Sequence, residues 1–480
     1  MGAGWLGKMV QVRRGEQAPT VLAAVAFALI LYSYALLRPV REAMGIQRDF
    51  NDLYWLWIAT LIGMVIANVV YAFLATRIPT RLLASTTYRV FGLSLAAFVV
   101  LLTLWPGLVD DPFATIPGWI VRSPVPQPIT VGHAFYVWLS VFNLFAISLF
   151  WAQAAGTFTL EQAKRLYPLI AAGGTIGALA GSFTTTMLAR EVQPAGIMAL
   201  SLILLRLAVM AGAWAFGRQA GDTTLTRPTG AATTATAARP GRPRLNAWRG
   251  LRNVVASPYL ASIGAWVMLL AIASSLMYFT QVEIVRDQGR DLQERVFLFA
   301  KIDLLTQGFT LLLQLAATAM LLRLVGVGRL LLACPIVLVV GFIAIAAADA
   351  LPGIARDGYL GSPAAVFELG ILAASPVYAI MALFQASFRA AERAIARPAR
   401  ETLFSVVAPE EKYVTKPAID TFVYRSGDVL GSTLHGFLHS MQAGLVPILT
   451  IVGPLAILWA ALGLWLGWKQ KKLAPTDPRV

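Results

Sequence analysis

The sequence predicts an all-α polytopic membrane protein with twelve transmembrane helices arranged in two halves of six. Of 480 residues, 58% are hydrophobic and 13% are charged, whereas about a quarter of a soluble domain is charged; the mean hydropathy is +0.69. Twelve apolar runs are long enough to cross a bilayer: 20–44, 53–76, 82–104, 132–156, 167–189, 195–217, 257–281, 296–322, 328–350, 364–388, 417–440 and 443–468.

A polar segment divides these runs into two sets of six. It is rich in Thr, Ala, Pro and Arg, and it has too little bulky apolar content to fold alone. The predicted organisation is an N-terminal six-helix half (1–217), a cytoplasmic linker (218–256) and a C-terminal six-helix half (257–480). The first run resembles a signal peptide, but no small-residue cleavage site follows it, so we interpret it as a membrane helix.

The Lys and Arg residues predict the orientation, because cytoplasmic segments carry an excess of them. With both termini in the cytoplasm, 26 of the 39 cations fall in inside segments and 9 in outside segments. The formal charge of +15 therefore reflects membrane topology and contact with lipid, and no nucleic-acid partner is expected. Since no transit peptide rich in Arg and Ser precedes the first run, we expect a bacterial plasma (inner) membrane.

The composition favours a carrier over an enzyme. The sequence has no G-x-S-x-G elbow, P-loop or H-E-x-x-H motif. Its one cysteine, Cys334, excludes an intramolecular disulfide. The histidines His133, His435 and His439 lack the companions of a metal site, so no metal or other cofactor is expected. The oligomeric state is left open.

Two internal sequence repeats suggest duplication. Residues 161–182 align with residues 411–432 at a constant offset of 250, and each copy carries a G-x-x-x-G step that lets helices approach closely. A second repeat, Arg-Pro-x-Arg-Glu, occurs at 38–42 and at 397–401, beside the first and tenth runs. These runs would emerge on opposite sides of the membrane, as nested inverted repeats would produce.

Charged residues in or beside membrane helices are costly and usually face a cavity or a partner. Several of them also have interpretations that assign them no role in transport. The stripe that begins with Arg389 and Arg393 could face anionic lipid, and Arg206 could be structural. Lys412 and Lys416 could be ordinary cytoplasmic cations, Glu161 and Arg165 a surface pair, and Arg425 and Asp428 a self-neutralising pair.

Four segments are similar to the ATP/ADP translocase type of nucleotide transporter, found in plastids and intracellular bacteria. They are "YALLRPVREAM", "EQAKRLYPLIAAGG", "TQVEIVRD" and "RPARETLFSVVAPEEKYVTKPAID". The resemblance implies a major-facilitator-like fold and strict nucleotide exchange. It also implies that four charged positions matter for transport: Arg41, Glu161, Glu283, and Lys412 or Lys416. Arg41 and Arg400 stand where that family has lysine, which keeps the charge but changes the geometry of phosphate contact.

The resulting hypothesis is a secondary transporter that exchanges nucleotides of the ATP/ADP type by alternating access. Its predicted substrate-binding residues are Arg38, Arg41, Glu161, Arg165, Glu283, Arg397, Arg400, Lys412 and Lys416, and its predicted gating ion-pair residues are Glu42, Glu401, Arg425 and Asp428. We expect each motif glutamate to pair with the motif arginines when no substrate is bound. The alternatives are a major-facilitator-type carrier of another organic anion, proton-coupled through Glu283, Glu368 or Asp428, and a non-transporting membrane scaffold.

Overall fold

The computed structural model describes residues 16–46, 50–77, 80–105, 131–217, 247–316, 325–350, 376–408, 415–416, 418–440 and 445–473. These residues form helices joined by turns, and no strand occurs among them. Within the described ranges, nine helices are long and apolar enough to cross a membrane. The protein is an all-helical integral membrane protein.

The helices are bounded by the polar and Pro-rich segments that the sequence contains. In chain order they are α1 (Gln17–Gly45), α2 (Phe50–Arg77), α3 (Thr80–Leu104), α4 (Val131–Thr157), α5 (Leu160–Leu188), α6 (Pro194–Gly217), α7 (Ala247–Ala256), α8 (Pro258–Gln288), α9 (Leu292–Ala316), α10 (Val327–Leu330), α11 (Ala333–Ala350), α12 (Pro376–Ala390), α13 (Arg397–Leu403), α14 (Tyr424–Ser440) and α15 (Leu445–Leu473). A π-helix (Ala391–Ala396) joins α12 to α13, and another (Ile419–Val423) precedes α14.

The chain forms two compact units. The first comprises residues 1–232 and 289–304, and the second comprises residues 233–288 and 305–480. In the first unit, α1 packs against α4, α5 and α6. In the second unit, α8 packs against α12, α14 and α15. One mostly buried helix therefore organises each unit.

Each central helix meets its partner through a pair of glycines. A Cβ at Gly177 of α5 would clash with the Ala28 carbonyl of α1, and one at Gly181 would lie 2.7 Å from the Tyr32 oxygen. In the second unit, a Cβ at Gly427 of α14 would lie 2.7 Å from the Met268 oxygen of α8.

The fourth glycine, Gly431, repeats the pattern, with 2.8 Å between a Cβ there and the Ile272 oxygen. The glycine pairs are related by the predicted offset of 250 residues, and the carbonyls that they approach by an offset of 240. The predicted role of both G-x-x-x-G steps in close helix approach is confirmed.

Three of the twelve predicted runs are not among the nine candidate spans. The second run forms α2, but its described apolar stretch is the shorter Trp55–Tyr71. Residues 364–375 of the tenth run lie outside the described residues. The eleventh run forms α14, in which Arg425, Asp428, His435 and His439 lower the hydropathy. The count of twelve spans therefore stays a prediction.

Candidate functional site

The first Arg-Pro-x-Arg-Glu element lies in the last turns of α1, with Pro39 inside the helix. Nη1 of Arg38 lies 3.1 Å from Oδ1 of Asp303 on α9, and its Nε lies 4.0 Å from Oε1 of Glu42. Both carboxylates are buried. A buried charge is costly unless it is paired, and here two carboxylates hold the arginine.

Arg41 is held by the same glutamate and by α4. Its Nη2 forms an ion pair with Glu42. Its Nη1 donates a hydrogen bond of 3.1 Å to Oγ of Ser140. The guanidinium carbon also lies 4.7 Å from the centre of the Tyr136 ring, within range of a cation–π interaction. The planar guanidinium therefore has fixed directions in which it can donate.

The second element spans Arg397–Glu401 in α13, where Pro398 occupies the first turn. Nη1 of Arg400 lies 3.1 Å from Oδ1 of Asp420, and its Nη2 lies 3.3 Å from Oε1 of Glu401. Lys416 donates to the other oxygen of Glu401. As in the first element, one arginine is shared between the motif glutamate and an aspartate from another segment.

Glu401 lies outside the predicted membrane spans. Burial raises the pKa of its carboxyl group, but the hydrogen bond and charge of Lys416, together with the charge of Arg400, outweigh burial. The pKa of Glu401 is therefore lower than its ordinary value, and the side chain is anionic at neutral pH.

Glu392 forms a third ionic cluster, which was not predicted from the sequence. Its oxygens lie 3.2 Å from Nη1 of Arg389 and 3.4 Å from Nη2 of Arg397. The glutamate is buried and lies in the π-helix, an irregularity that is frequent at functional sites.

The arginines of the predicted basic stripe therefore differ in exposure and in partners. Only 18% of the Arg389 side chain is exposed, which favours internal pairing over contact with lipid, whereas 61% of Arg397 is exposed. Arg393 donates to Oε1 of Gln307 at 3.3 Å. The signal that could have identified Glu392 is that it is the lone acid within a four-arginine stripe.

Glu283 lies near the end of α8 and faces α14. Its Oε1 is 3.5 Å from Nδ1 of His439, and its Oε2 is 3.9 Å from Nε2 of His435. That a carboxylate accompanies this histidine pair was not predicted from the sequence. Within the described ranges, no group of three or more potential ligands is placed to hold a metal ion.

Arg425 and Asp428 form the i,i+3 pair that the sequence suggested, at 3.1 Å. The carboxylate of Asp428 also accepts a hydrogen bond of 3.5 Å from Ser275 on α8. This pair therefore contacts the central helix of the second unit.

In the segment before the Tyr-Pro-Leu sequence, Arg165 has a partner that the sequence did not predict. Arg165 lies 3.2 Å from the carboxylate of Glu16, at the start of α1. Glu161 is exposed in the first turn of α5, after a capping box formed by Thr159 and Gln162. Lys412 lies outside the described residues.

Comparison with known proteins bears on the family and the fold. The family model for the TLC ATP/ADP transporter matches residues 133–473. No curated protein matches the sequence.

Several solved transporters are similar in structure. A bacterial homologue of the iron transporter ferroportin, inward-facing, has a TM-score of 0.57 at 10% identity, over 97% of this chain and 100% of that chain. An auto-inhibited POT family peptide transporter has a TM-score of 0.53 at 14% identity, over 96% and 98%. The inward-open xylose transporter from E. coli has a TM-score of 0.50 at 14% identity, over 96% and 97%. These similarities show the fold alone, which is that of the major-facilitator-type transporters.

Proposed function

The chain belongs to the TLC ATP/ADP transporter family, and from that premise we propose that this secondary transporter exchanges nucleotides of the ATP/ADP type by alternating access. The observation that carries the proposal is the shared construction of the two Arg-Pro-x-Arg-Glu elements. In each, an arginine is held at 3.1 Å by an aspartate and is also in contact with the motif glutamate.

This construction suits a phosphate-bearing substrate. A guanidinium donates two parallel hydrogen bonds to a carboxylate or to a phosphate with the same geometry. The carboxylates of Asp303 and Asp420 therefore occupy positions that phosphate oxygens can take. The arginine side chains can therefore keep their conformation when one anion replaces the other.

The same construction explains why transport should be an exchange. Breaking a buried ion pair without a replacement costs about 3–5 kcal/mol, because an uncompensated charge remains. An empty carrier that must separate Arg38 from Asp303 in order to reorient meets this cost. A loaded carrier avoids it, since the substrate supplies the anion. Reorientation is then fast only with substrate bound.

The proposed topology follows the distribution of cations and the fold. The protein has twelve transmembrane helices, formed by two six-helix halves, and both termini lie in the cytoplasm. The proposed location is the bacterial inner membrane, and the proposed substrate is a nucleotide anion. The carrier binds its substrate and moves it without covalent chemistry.

Counterflow in liposomes tests the proposal. Purified protein is reconstituted into vesicles loaded with ADP and into empty vesicles, and labelled ATP is added outside. Uptake confined to the loaded vesicles is the expected result. Equal uptake into both kinds of vesicle would contradict exchange. Absence of uptake by folded protein would favour another organic anion, to be sought by a thermal-shift screen of phosphorylated metabolites.

Three variants connect this function to the two elements. Arg41→Gln and Arg400→Gln each remove a charge-assisted contact worth about 1.5–3 kcal/mol, so uptake should fall roughly tenfold or more. Arg206→Gln is the matched control, because Arg206 is an exposed arginine on a membrane helix outside both elements. Wild-type uptake by both motif variants would contradict the assignment of these arginines.

A further inference from the structure

The strongest feature outside the two motif elements is the contact between one carboxylate and two imidazoles. His435 and His439 are one helical turn apart on α14, so their side chains share a face. Each histidine faces a different oxygen of Glu283, at 3.9 Å for His435 and 3.5 Å for His439. The carboxylate is therefore flanked by two groups that can each carry a proton.

The two imidazoles occupy different environments. The His435 ring is 2% exposed and stacks on Phe279, with ring centres 5.3 Å apart. The His439 ring lies nearly parallel to it, at 6.5 Å, and 43% of its side chain is exposed. The pair therefore consists of one buried imidazole and one that the protein covers only in part.

Few other charges act on this cluster. His439, Asp287 and Arg286 act on Glu283, and His439 acts on His435. The charges nearby on other elements have their own partners: Arg389 and Arg425 both act on Asp428. Helix α7 contacts α8 near Gly264, at the opposite end of that helix from Glu283.

On α15, cations occur among the described residues at its C-terminal end, at Lys469, Lys471 and Lys472. The charged groups that the structure brings to Glu283 include His439, Asp287 and Arg286.

We propose that Glu283, His435 and His439 form a proton-binding site, and that a substrate group which takes the Glu283 carboxylate releases the proton from His439. The proposal deepens the proposed transport function and rests on it for the identity of the substrate. The competing substrate group is a hydrogen-bond donor, such as an amine or a hydroxyl. The released proton leaves through the part of the His439 side chain that the protein does not cover, 43% of it.

Thermodynamic linkage fixes the direction of the effect. An imidazolium attracts the carboxylate more strongly than a neutral imidazole does, so protonation ties Glu283 to α14. A substrate donor must break that contact, and coupling between two ligands is reciprocal. Protonation therefore weakens substrate binding, and substrate binding drives proton release. If one proton is released, the affinity rises up to about tenfold for each pH unit in the acid range.

Calorimetry of ATP binding to the full chain in detergent measures this release directly. Titrations near pH 6 in two buffers with different ionisation enthalpies give the number of protons released. The terminal phosphate of ATP itself titrates near this pH, so the protein's own release is counted as the excess over Glu283→Gln. We expect an excess approaching one for the wild type and none for His439→Gln, and the affinities of both variants should depend less steeply on pH. His133→Gln is the matched control, because His133 is the remaining histidine of the chain, and it should keep the wild-type value.

The possible outcomes separate this inference from the proposed function. ATP binding by the wild type without excess proton release would overturn the proton site and leave the nucleotide function intact. Equal proton release in His439→Gln would also overturn it. If the wild type binds no ATP at all, the proposed function fails.

In that case, thermal midpoints measured without nucleotide test the proton site. The change in midpoint between pH 8 and pH 6 should be smaller in both cluster variants than in wild type and His133→Gln. Equal changes in all four proteins would overturn the site.

Discussion

Arg38 and Asp303 form an ion pair of 3.1 Å between two residues that are far apart in the sequence. Asp303 is buried, and the arginine also lies 4.0 Å from Glu42. The pair joins a repeated motif to a carboxylate that lies outside it. Whether substrate phosphate competes with this carboxylate is the first question that the structure raises.

Asp303→Asn should make the carrier leak. The substitution removes the anion that holds Arg38, so the empty carrier no longer has to break that pair in order to reorient. In liposomes loaded with labelled ATP, net efflux into nucleotide-free medium should rise at least about tenfold, the factor that corresponds to 1.4 kcal/mol. Glu191→Gln, at an exposed position between α5 and α6, is the control and should stay tight. Exchange without increased net efflux in Asp303→Asn would argue that this ion pair does not hold back the empty carrier.

Glu392→Gln should destabilise the second unit. The neutral side chain leaves Arg389 without its buried counterion, and loss of one member of a buried ion pair costs about 3–5 kcal/mol. Its partner Arg397 is 61% exposed and contributes little to this cost. The apparent thermal midpoint in detergent should fall by several degrees. Glu191→Gln, at an exposed position between α5 and α6, should leave it nearly unchanged. An unchanged midpoint in Glu392→Gln would mean that the cluster is not structural.

Glu401 should contribute to stability at neutral pH and lose its contribution in acid. Its pKa in the folded protein lies below the ordinary value of 4.5, because Lys416 and Arg400 outweigh the effect of burial. A lowered folded pKa stabilises the protein above the unfolded pKa, and this stabilisation is lost as the pH falls through the folded pKa. The side chain is 39% exposed, so the effect is about 1 kcal/mol or less.

Thermal midpoints of wild type and Glu401→Gln measured between pH 6 and pH 3.5 test this sign. The wild type should be the more stable at pH 6, and the two curves should converge toward the acid end. A difference that grows as the pH falls would contradict the ion pair with Lys416. Glu191→Gln again serves as the control at an exposed carboxylate.

The fold was largely predictable from the sequence, for physical reasons. Apolar runs, cations at their ends and paired glycines are local patterns, and the lipid bilayer imposes them directly. The transporter fold that these patterns indicated is confirmed, as is the family that the four motif segments resemble. The eleventh run was harder, because α14 combines an apolar face with Arg425, Asp428 and two histidines. Its place in the membrane stays a prediction.

The partners of the charged residues were less predictable. Residues that are close in sequence, such as Arg425 and Asp428, pair as their spacing suggests. The partners Asp303, Asp420 and Glu16 come from other segments, and spacing carries no information about them. Arg165 illustrates the difference, since it pairs with Glu16 of another segment. The roles of these residues in transport remain predictions for the experiments above.

The two glycine contacts give the last prediction. Gly177→Ala and Gly427→Ala each place a methyl group against a backbone carbonyl, of Ala28 and of Met268. A helix backbone cannot move aside as a side chain can, so each substitution should cost about 1–3 kcal/mol through overpacking. Gly156→Ala and Gly453→Ala are matched controls, because no atom lies within 4 Å of a Cβ at either position.

Alanine stabilises a helix by about 1 kcal/mol relative to glycine. The control variants should therefore keep or raise the apparent thermal midpoint, while the contact variants lower it. The duplication adds a sharper expectation. Since Gly177 and Gly427 occupy corresponding positions in the two units, their variants should lose similar amounts of stability. A loss in one unit only would mean that the two helix pairs share this geometry but differ in how much the contact contributes to stability.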